Sequence, residues 1–233
     1  MTQASHAQHV AGELAGHADV TALEQPCDRG TAAEVLLAAH WIRSRAPGAV
    51  IAVFPTSHFI VEQSVFMSHV AAAGEYVRDH PEWILLLGVH PAEPAPDHGW
   101  IEPGEPMGWA GHGVVHRIRA SRERPPAESG RRRGHALCNT SVFTATALVE
   151  AGLACLPLLH DRLTRFELFS GTRYETAALR QAYLFAPTAD FTRAILASSE
   201  IALAVAEIPA VTWWDLGTPE RVARCVGAAS RDE

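Results

Sequence analysis

Ala49-Val50-Ile51-Ala52-Val53-Phe54 is apolar at every position and runs straight into Pro55-Thr56-Ser57-His58. A strand with one wet face alternates polar and apolar residues. An unbroken apolar run of this length suits a strand buried on both faces, as in a parallel sheet. Upstream, Thr31-Ala32-Ala33-Glu34 has the form of a capping box, with the Thr hydroxyl turned to the N–H three residues on and the Glu reaching back. It predicts a helix to about Arg45, with Val35, Leu36, Ala39 and Ile42 on one side and Pro47-Gly48 as its stop. Downstream, Val65, Phe66, His69, Val70 and Val77 mark a helix over 62–78, and 83–89 is a second buried strand closed by His90-Pro91. Strand, helix and strand in this order predict an α/β domain with right-handed crossovers.

Farther out the pattern loosens. Residues 5–14 read as a weak helix and 19–23 as a short strand. Residues 91–97 form a Pro-rich loop, and 99–102 and 114–120 are strand candidates. Residues 125–134 read as loop, 136–143 as strand, and 144–151 and 172–185 as helices. Late strands are expected at 201–208 and 211–214. A last helix starts at Thr218-Pro219-Glu220, with Thr as cap, Pro in the first turn and a carboxylate at the positive end. No internal repeat and no linker stand out, so residues 1–233 are expected to form a single domain.

Composition narrows the function. With 233 residues, 48% of them hydrophobic, the chain is long enough to bury a sizeable core. Its net charge is −7, which gives no general pull on nucleic acid. Every basic side chain of the Lys/Arg class is Arg, which excludes a Schiff-base lysine and a P-loop lysine in this chain. Arg131-Arg132-Arg133 reads as a solvated loop or helix end rather than a binding patch. Cys27, Cys138, Cys155 and Cys225 have no zinc-type or C-x-x-C spacing. No signal peptide and no membrane-length apolar run is present, so a reduced, cytoplasmic protein without membrane contact is expected. The histidines are scattered and make no H-E-x-x-H pair, and no G-x-S-x-G elbow exists.

Widely spaced segments then align with one family. Gln25-Pro26-Cys27-Asp28-Arg29-Gly30-Thr31-Ala32 resembles an E-P-x-x-R-x-T-A element, and Phe54-Pro55-Thr56-Ser57-His58 resembles L-P-x-D-H. His98-Gly99-Trp100-Ile101-Glu102-Pro103-Gly104 resembles Y-G-Y-I-E-x-G, Glu123-Arg124-Pro125 resembles E-K-P, and Cys138-Asn139-Thr140-Ser141-Val142-Phe143 resembles W-N-S-G-I-F. Trp214-Asp215-Leu216-Gly217 stands where the family has D-V-G. In this order the motifs resemble the sugar-phosphate nucleotidyltransferases, above all the mannose-1-phosphate guanylyltransferases. Each motif alone is weak; their shared order over residues 24–222 is the specific signal.

The resemblance implies a Rossmann-like nucleotide-diphospho-sugar transferase fold: a mixed, mostly parallel sheet with helices on both faces. It implies nucleotidyl transfer from a nucleoside triphosphate, GTP, to a sugar 1-phosphate, mannose 1-phosphate, with release of pyrophosphate. Gln25, Pro26, Arg29, Gly30, Thr31 and His58 would lie at the nucleotide; Gly99, Glu102, Glu123, Arg124 and Asn139 would hold the sugar phosphate. Arg124, in the Lys position, and Asp215 would be catalytic, Asp215 as ligand of a Mg²⁺ ion. A bland reading of Asp215 as a turn cap and of His58 as a turn-fixing residue stands beside this. Ser57 occupies the second metal-ligand position, where a neutral hydroxyl is a poor substitute for a carboxylate. The family's Gly-rich triphosphate loop, G-x-G-x-R-x-x-P, has no counterpart, and the first strands of the family sheet are expected to be lacking. Two explanations compete: a start placed too far downstream, or a specialised relative that has lost the loop. The second leads to an alternative, a non-catalytic sugar-nucleotide-binding or regulatory paralogue. Whether the chain forms a homo-oligomer is left open.

Overall fold

The computed structural model describes residues 1–89, 100–122, 135–209 and 211–229. In chain order the first elements are β1 (Thr2–Gln3), α1 (Ala7–Glu13), β2 (Glu24–Gln25), α2 (Thr31–Arg43), β3 (Val50–Val53), β4 (His58–Ile60), α3 (Gln63–Asp79) and β5 (Ile84–Val89). They continue with β6 (Trp100–Ala110), β7 (Gly113–Arg122), β8 (His135–Thr144), α4 (Ala145–Cys155), α5 (Pro157–Glu167), α6 (Glu175–Leu184), β9 (Leu203–Ile208), β10 (Trp213–Asp215) and α7 (Pro219–Ala229). The chain divides into two compact units: Met1–Ala49 with Ala145–Ile201, and Val50–Thr144 with Ala202–Glu233. No helix among the described residues is long and apolar enough to cross a membrane.

The second unit is built on a six-stranded sheet of order β3-β8-β5-β9-β7-β6. Its centre is β5, apolar and buried along its whole length, as the unbroken run over 84–89 requires. Leu85, Leu87 and Val89 lie in one core with Phe66, Val70, Ala73 and Val77 of α3, which recur at helical spacing. Each large apolar side chain of this set contributes about 1.5–3 kcal/mol by leaving water. The sheet is mixed. Among the described pairings it is parallel only at β5–β9, so parallel strands are fewer than the sequence led one to expect. The reason is connectivity. The two-residue turn Gly111-His112 joins β6 to β7 as a hairpin, which is antiparallel by necessity, and β8 returns between β3 and β5 against both.

The first unit is mainly helical. Leu36 and Leu37 of α2, Leu148 of α4, Leu159, Leu163 and Phe166 of α5 and Tyr183 of α6 are buried. Helices α2 and α4 approach closely at Gly152, where a Cβ would come within 2.7 Å of Leu36 Cδ2. Helix α5 had no forerunner among the expected elements. The expected strand over 19–23 is absent; β2 pairs with β1 at Glu24–Gln25 instead.

The expected capping box at Thr31 does not form. Gly30 is the N-cap, without a side-chain cap bond. The Thr31 hydroxyl donates to Asp190 Oδ2 (3.1 Å) and accepts from the Phe191 N–H (2.9 Å). A partner far away in sequence has outcompeted the local one, and Thr31 becomes the first helical residue.

Two carboxylates tie the end of α2 to the helices that follow it in this unit. Glu167 accepts from Arg43 Nε (3.0 Å), Arg43 Nη2 (2.6 Å) and His40 Nδ1 (2.9 Å). Glu175 accepts from Trp41 Nε1 (3.0 Å) and pairs with Arg45, whose guanidinium lies 3.8 Å from the Trp41 ring centre. His40 is fully buried, and burial pulls its pKa down from 6.5 to about 4 against the opposing pull of Glu167. Between those values the unfolded chain takes up a proton that the folded chain refuses. Stability is therefore full above pH 6.5 and falls as the pH drops toward 4, by roughly 3 kcal/mol over the window. Glu167 is also held below its usual range: burial would raise it, but the bonds from Arg43 and His40 together outweigh that push. Its loss at still lower pH has the same sign. Urea midpoints measured between pH 7 and pH 4 should show this slope, and His40→Gln should flatten it; an unchanged slope in that variant would assign the effect elsewhere.

Candidate functional site

In the second unit the turn Pro55-Thr56-Ser57 leads from β3 into the short strand β4. There β4 pairs antiparallel with β10, His58 opposite Asp215, Phe59 opposite Trp214 and Ile60 opposite Trp213. The Leu216 N–H donates to the Ser57 carbonyl (2.7 Å), extending the junction by one bond. Two motifs on opposite halves of the sequence are thus held side by side by backbone. Glu62 anchors the approach to β10: its carboxylate accepts from the Thr212 N–H (2.5 Å) and hydroxyl (3.0 Å), which hold it below the usual carboxylate range. The His58 ring stands edge-on to Trp213, 5.0 Å between centres.

Beside this junction lies a depression of about 200 Å³, lined by Phe54, Pro55, His58, Phe59, Gln63 and Thr140 among others. That is smaller than the few hundred Å³ common for sites that enclose a whole small-molecule ligand. Its mainly apolar lining, with Ile60 and Phe66 completing it, suits one ring rather than a whole nucleotide sugar.

Asp215 ends β10, and its carboxylate is engaged on both oxygens. Oδ1 accepts from the Gly217 N–H (2.8 Å), and Oδ2 accepts from Arg221 Nη1 (2.6 Å). The side chains of Arg221 and Asp215 are 21% and 13% exposed. Arg221 lies in the first turn of α7, and its N–H donates to the Thr218 hydroxyl (3.4 Å), the cap expected from the sequence. Arg221 was not foreseen as part of the site. The phase of the Thr218-Pro219 helix start was the signal that could have placed it on the side of Asp215.

A Mg²⁺ ion needs oxygen ligands with negative charge and tolerates few substitutes. Here the Asp215 carboxylate is already neutralised by a guanidinium, and Ser57 brings no second charge. Among the described residues no group of three His, Cys, Asp or Glu could hold a metal ion. The residues as arranged do not fit the expected ion.

The other expected contacts fall as follows. Glu102 lies on β6 opposite Ala120 of β7 and pairs with Arg119 at 3.3 Å. Asn139 lies on β8, next to the buried Thr140. Gly99, Glu123 and Arg124 lie outside the described residues. In the first unit Gln25 is buried and accepts from the Tyr183 hydroxyl (3.1 Å). Pro26 follows β2 directly. Arg29 closes the end of α6, donating to the carbonyls of Tyr183 (3.1 Å) and Leu184 (3.3 Å). Gly30 and Thr31 open α2 as described above. The structure therefore brings together Ser57, His58 and Asp215, and shows Gln25, Arg29 and Thr31 bonded within their own unit.

No protein-family model matches the chain, and no curated protein matches it by sequence. Solved structures do. A mannose-1-phosphate geranyltransferase from Thermus thermophilus is similar at 21% identity and a TM-score of 0.76, over 93% of this chain. This chain spans only 60% of that protein's length. A mannose-6-phosphate isomerase from Helicobacter pylori matches at 14% identity and a TM-score of 0.70, over 91% of this chain and 83% of its own. A UTP-bound UGPase from Acinetobacter baumannii matches at 11% identity and a TM-score of 0.52, over 98% of this chain and 69% of its own. At these identities the likeness concerns architecture, and it shows that the chain has the nucleotide-diphospho-sugar transferase fold.

Proposed function

We propose that the chain is a sugar-phosphate nucleotidyltransferase, transferring GMP from GTP to mannose 1-phosphate with release of pyrophosphate. The observation that carries the reading is the β4–β10 junction, which sets Ser57-His58 beside Asp215 in a fold of this kind. Mannose phosphate recurs in the names of two of the similar structures, which favours that sugar. The reaction suits the residues proposed for it. A sugar-phosphate oxygen is already an anion at neutral pH, so attack on the α-phosphorus needs no general base. What remains is positioning and neutralisation of charge. Arg124 is proposed to meet the sugar phosphate, and Glu102, Glu123 and Asn139 the sugar hydroxyls.

Pyrophosphate release is the test, with GTP and mannose 1-phosphate, with and without Mg²⁺, against UTP and glucose 1-phosphate as comparison. Release with the first pair well above the second is expected. No release with any pair would reject transfer. A second reading is favoured by a specific observation: Asp215 is ion-paired with Arg221, and Ser57 stands in the other ligand position. On that reading the chain binds GDP-mannose without turning it over. Calorimetry showing micromolar binding and no pyrophosphate exchange would select it, and absence of binding would remove it.

A further inference from the structure

We infer that the depression beside the start of α3 is a nucleobase subsite, in which a base lies against Phe54 and the side-chain amide of Gln63 meets its polar edge. This deepens the reading above and rests on it only for the presence of a nucleotide. The resemblance places the nucleotide at Gln25 to Thr31, with His58 alone among the residues of this depression.

The argument starts from what is left uncovered. Every lining residue belongs to the second unit. Phe54 and Phe59 are 46% and 41% exposed, and both line this one depression. Exposed aromatic surface gathered at a single concave place marks a binding site rather than chance exposure. The Phe54 ring is also held in position, since it meets the ring of the buried Phe66 edge to face at 6.2 Å between centres. Gln63 is the first residue of α3 and is exposed. Its backbone N–H donates to the Val61 carbonyl (3.0 Å), but its side-chain amide makes no hydrogen bond to any described residue. The neighbouring Glu62 is tied to Thr212, so the amide stands on a fixed support.

The chemistry of the lining selects the occupant. A pyranose carries hydroxyls around its rim, and most would meet apolar walls without a partner. A phosphate calls for guanidinium or ammonium groups, and the lining holds no Arg and no Lys. A base has two apolar faces and a polar edge, which match one aromatic surface and one uncommitted amide. Stacking on an aromatic face suits any base, because every base has a π-face. The amide offers a donor and an acceptor side by side, as guanine does at N1–H and O6. Turned over, it fits the opposite order, so the subsite takes bases as a class. In the first unit Gln25 and Arg29 are already bonded to residues of α6.

The test uses the full native chain and a guanosine triphosphate carrying an azide on its base. After photolysis the chain is cut at Arg with trypsin, and the labelled peptide is identified by mass spectrometry. Label is expected in the peptide over residues 46–78, which holds Phe54 and Gln63. Nucleotide affinity by calorimetry without label in that peptide overturns the inference and leaves the functional reading standing; label confined to the peptides that hold Gln25 and Thr31 is one such result. No nucleotide affinity at all refutes the functional reading, and the inference falls with it. Two variants, each with circular dichroism unchanged, add a second measurement. Phe54→Ala should weaken GMP binding about tenfold and Gln63→Ala roughly fivefold, with mannose 1-phosphate affinity unaltered. GMP affinity unchanged in both variants overturns the inference, as does a loss confined to mannose 1-phosphate, which would put the sugar ring in the depression instead.

Discussion

Gly30→Ala is expected to destabilise the first unit by about 3–5 kcal/mol. Gly30 has φ +77° and ψ 169°, a region essentially confined to glycine. The added Cβ would also overlap the Ala189 carbonyl oxygen. That oxygen cannot simply move aside. It accepts from the Ala32 N–H (3.1 Å), while the Ala189 N–H donates to the Arg29 carbonyl (3.1 Å). The two bonds stitch the start of α2 to the segment that carries Asp190, the partner of Thr31. Backbone strain of about 1–3 kcal/mol adds to the loss of one or both of these bonds, each about 1 kcal/mol, and to the weakened Thr31 contact. Gly171→Ala separates the two causes. Gly171 has φ +75° with nothing within 4 Å of its added Cβ, so that variant carries strain alone and should cost only about 1 kcal/mol. Urea unfolding of both variants followed by circular dichroism checks the comparison. Equal costs would show that the Ala189 carbonyl yields freely, and that the close approach has no energetic weight.

What could be read from the sequence was whatever periodicity or a local signal governs. The runs over 50–53 and 84–89 are strands because nothing polar interrupts them, and α3 is a helix because Phe66, Val70, Ala73 and Val77 share a face. The Thr218-Pro219 start of α7 follows from chemistry within one turn. Where a distant partner decides, the sequence was silent or misleading. His58-Phe59-Ile60 is too short to declare itself, and is a strand only because Trp213-Trp214-Asp215 pairs with it. Thr31 carries the form of a capping box, yet Asp190 and Phe191 take its hydroxyl. The proximity of Ser57 and Asp215 was accessible only through the resemblance to a family. The Asp215–Arg221 pair was not, because none of the matched motifs contains Arg221 and the resemblance gives the carboxylate a different partner. Helix α5 escaped because Pro157 and the mixed Leu158 to Glu167 stretch look as much like loop as helix until Leu159, Leu163 and Phe166 are seen buried together.

Glu167→Leu is the second large effect, an expected loss of about 2–4 kcal/mol at pH 7. Glu167 is the hub at which α2 and α5 meet, accepting three hydrogen bonds from two residues. Removing it leaves the two donors in unequal positions. Arg43 is 26% exposed and can turn its guanidinium toward water, so its share of the loss is modest. His40 has no exposure and cannot follow. Its Nδ1–H loses its acceptor while Nε2, the accepting nitrogen of the ring, is already buried without a donor, so both ring nitrogens would be unsatisfied. The ordering follows: Arg43→Met should cost distinctly less than Glu167→Leu, and His40→Leu with Glu167→Leu should recover part of the single-variant loss by removing the stranded ring. The pH dependence gives an independent check. Glu167 is the group that resists the fall of the His40 pKa, so without it the imidazole is still harder to protonate in the folded chain. The acid slope between pH 6.5 and 4 should therefore persist in Glu167→Leu and extend to lower pH, whereas in the double variant it should shrink to the share of His69 and His160, which burial also holds below their usual range. A double variant no more stable than Glu167→Leu alone would show that the stranded imidazole is not the source of the loss, and that Arg43, despite its route to solvent, carries it.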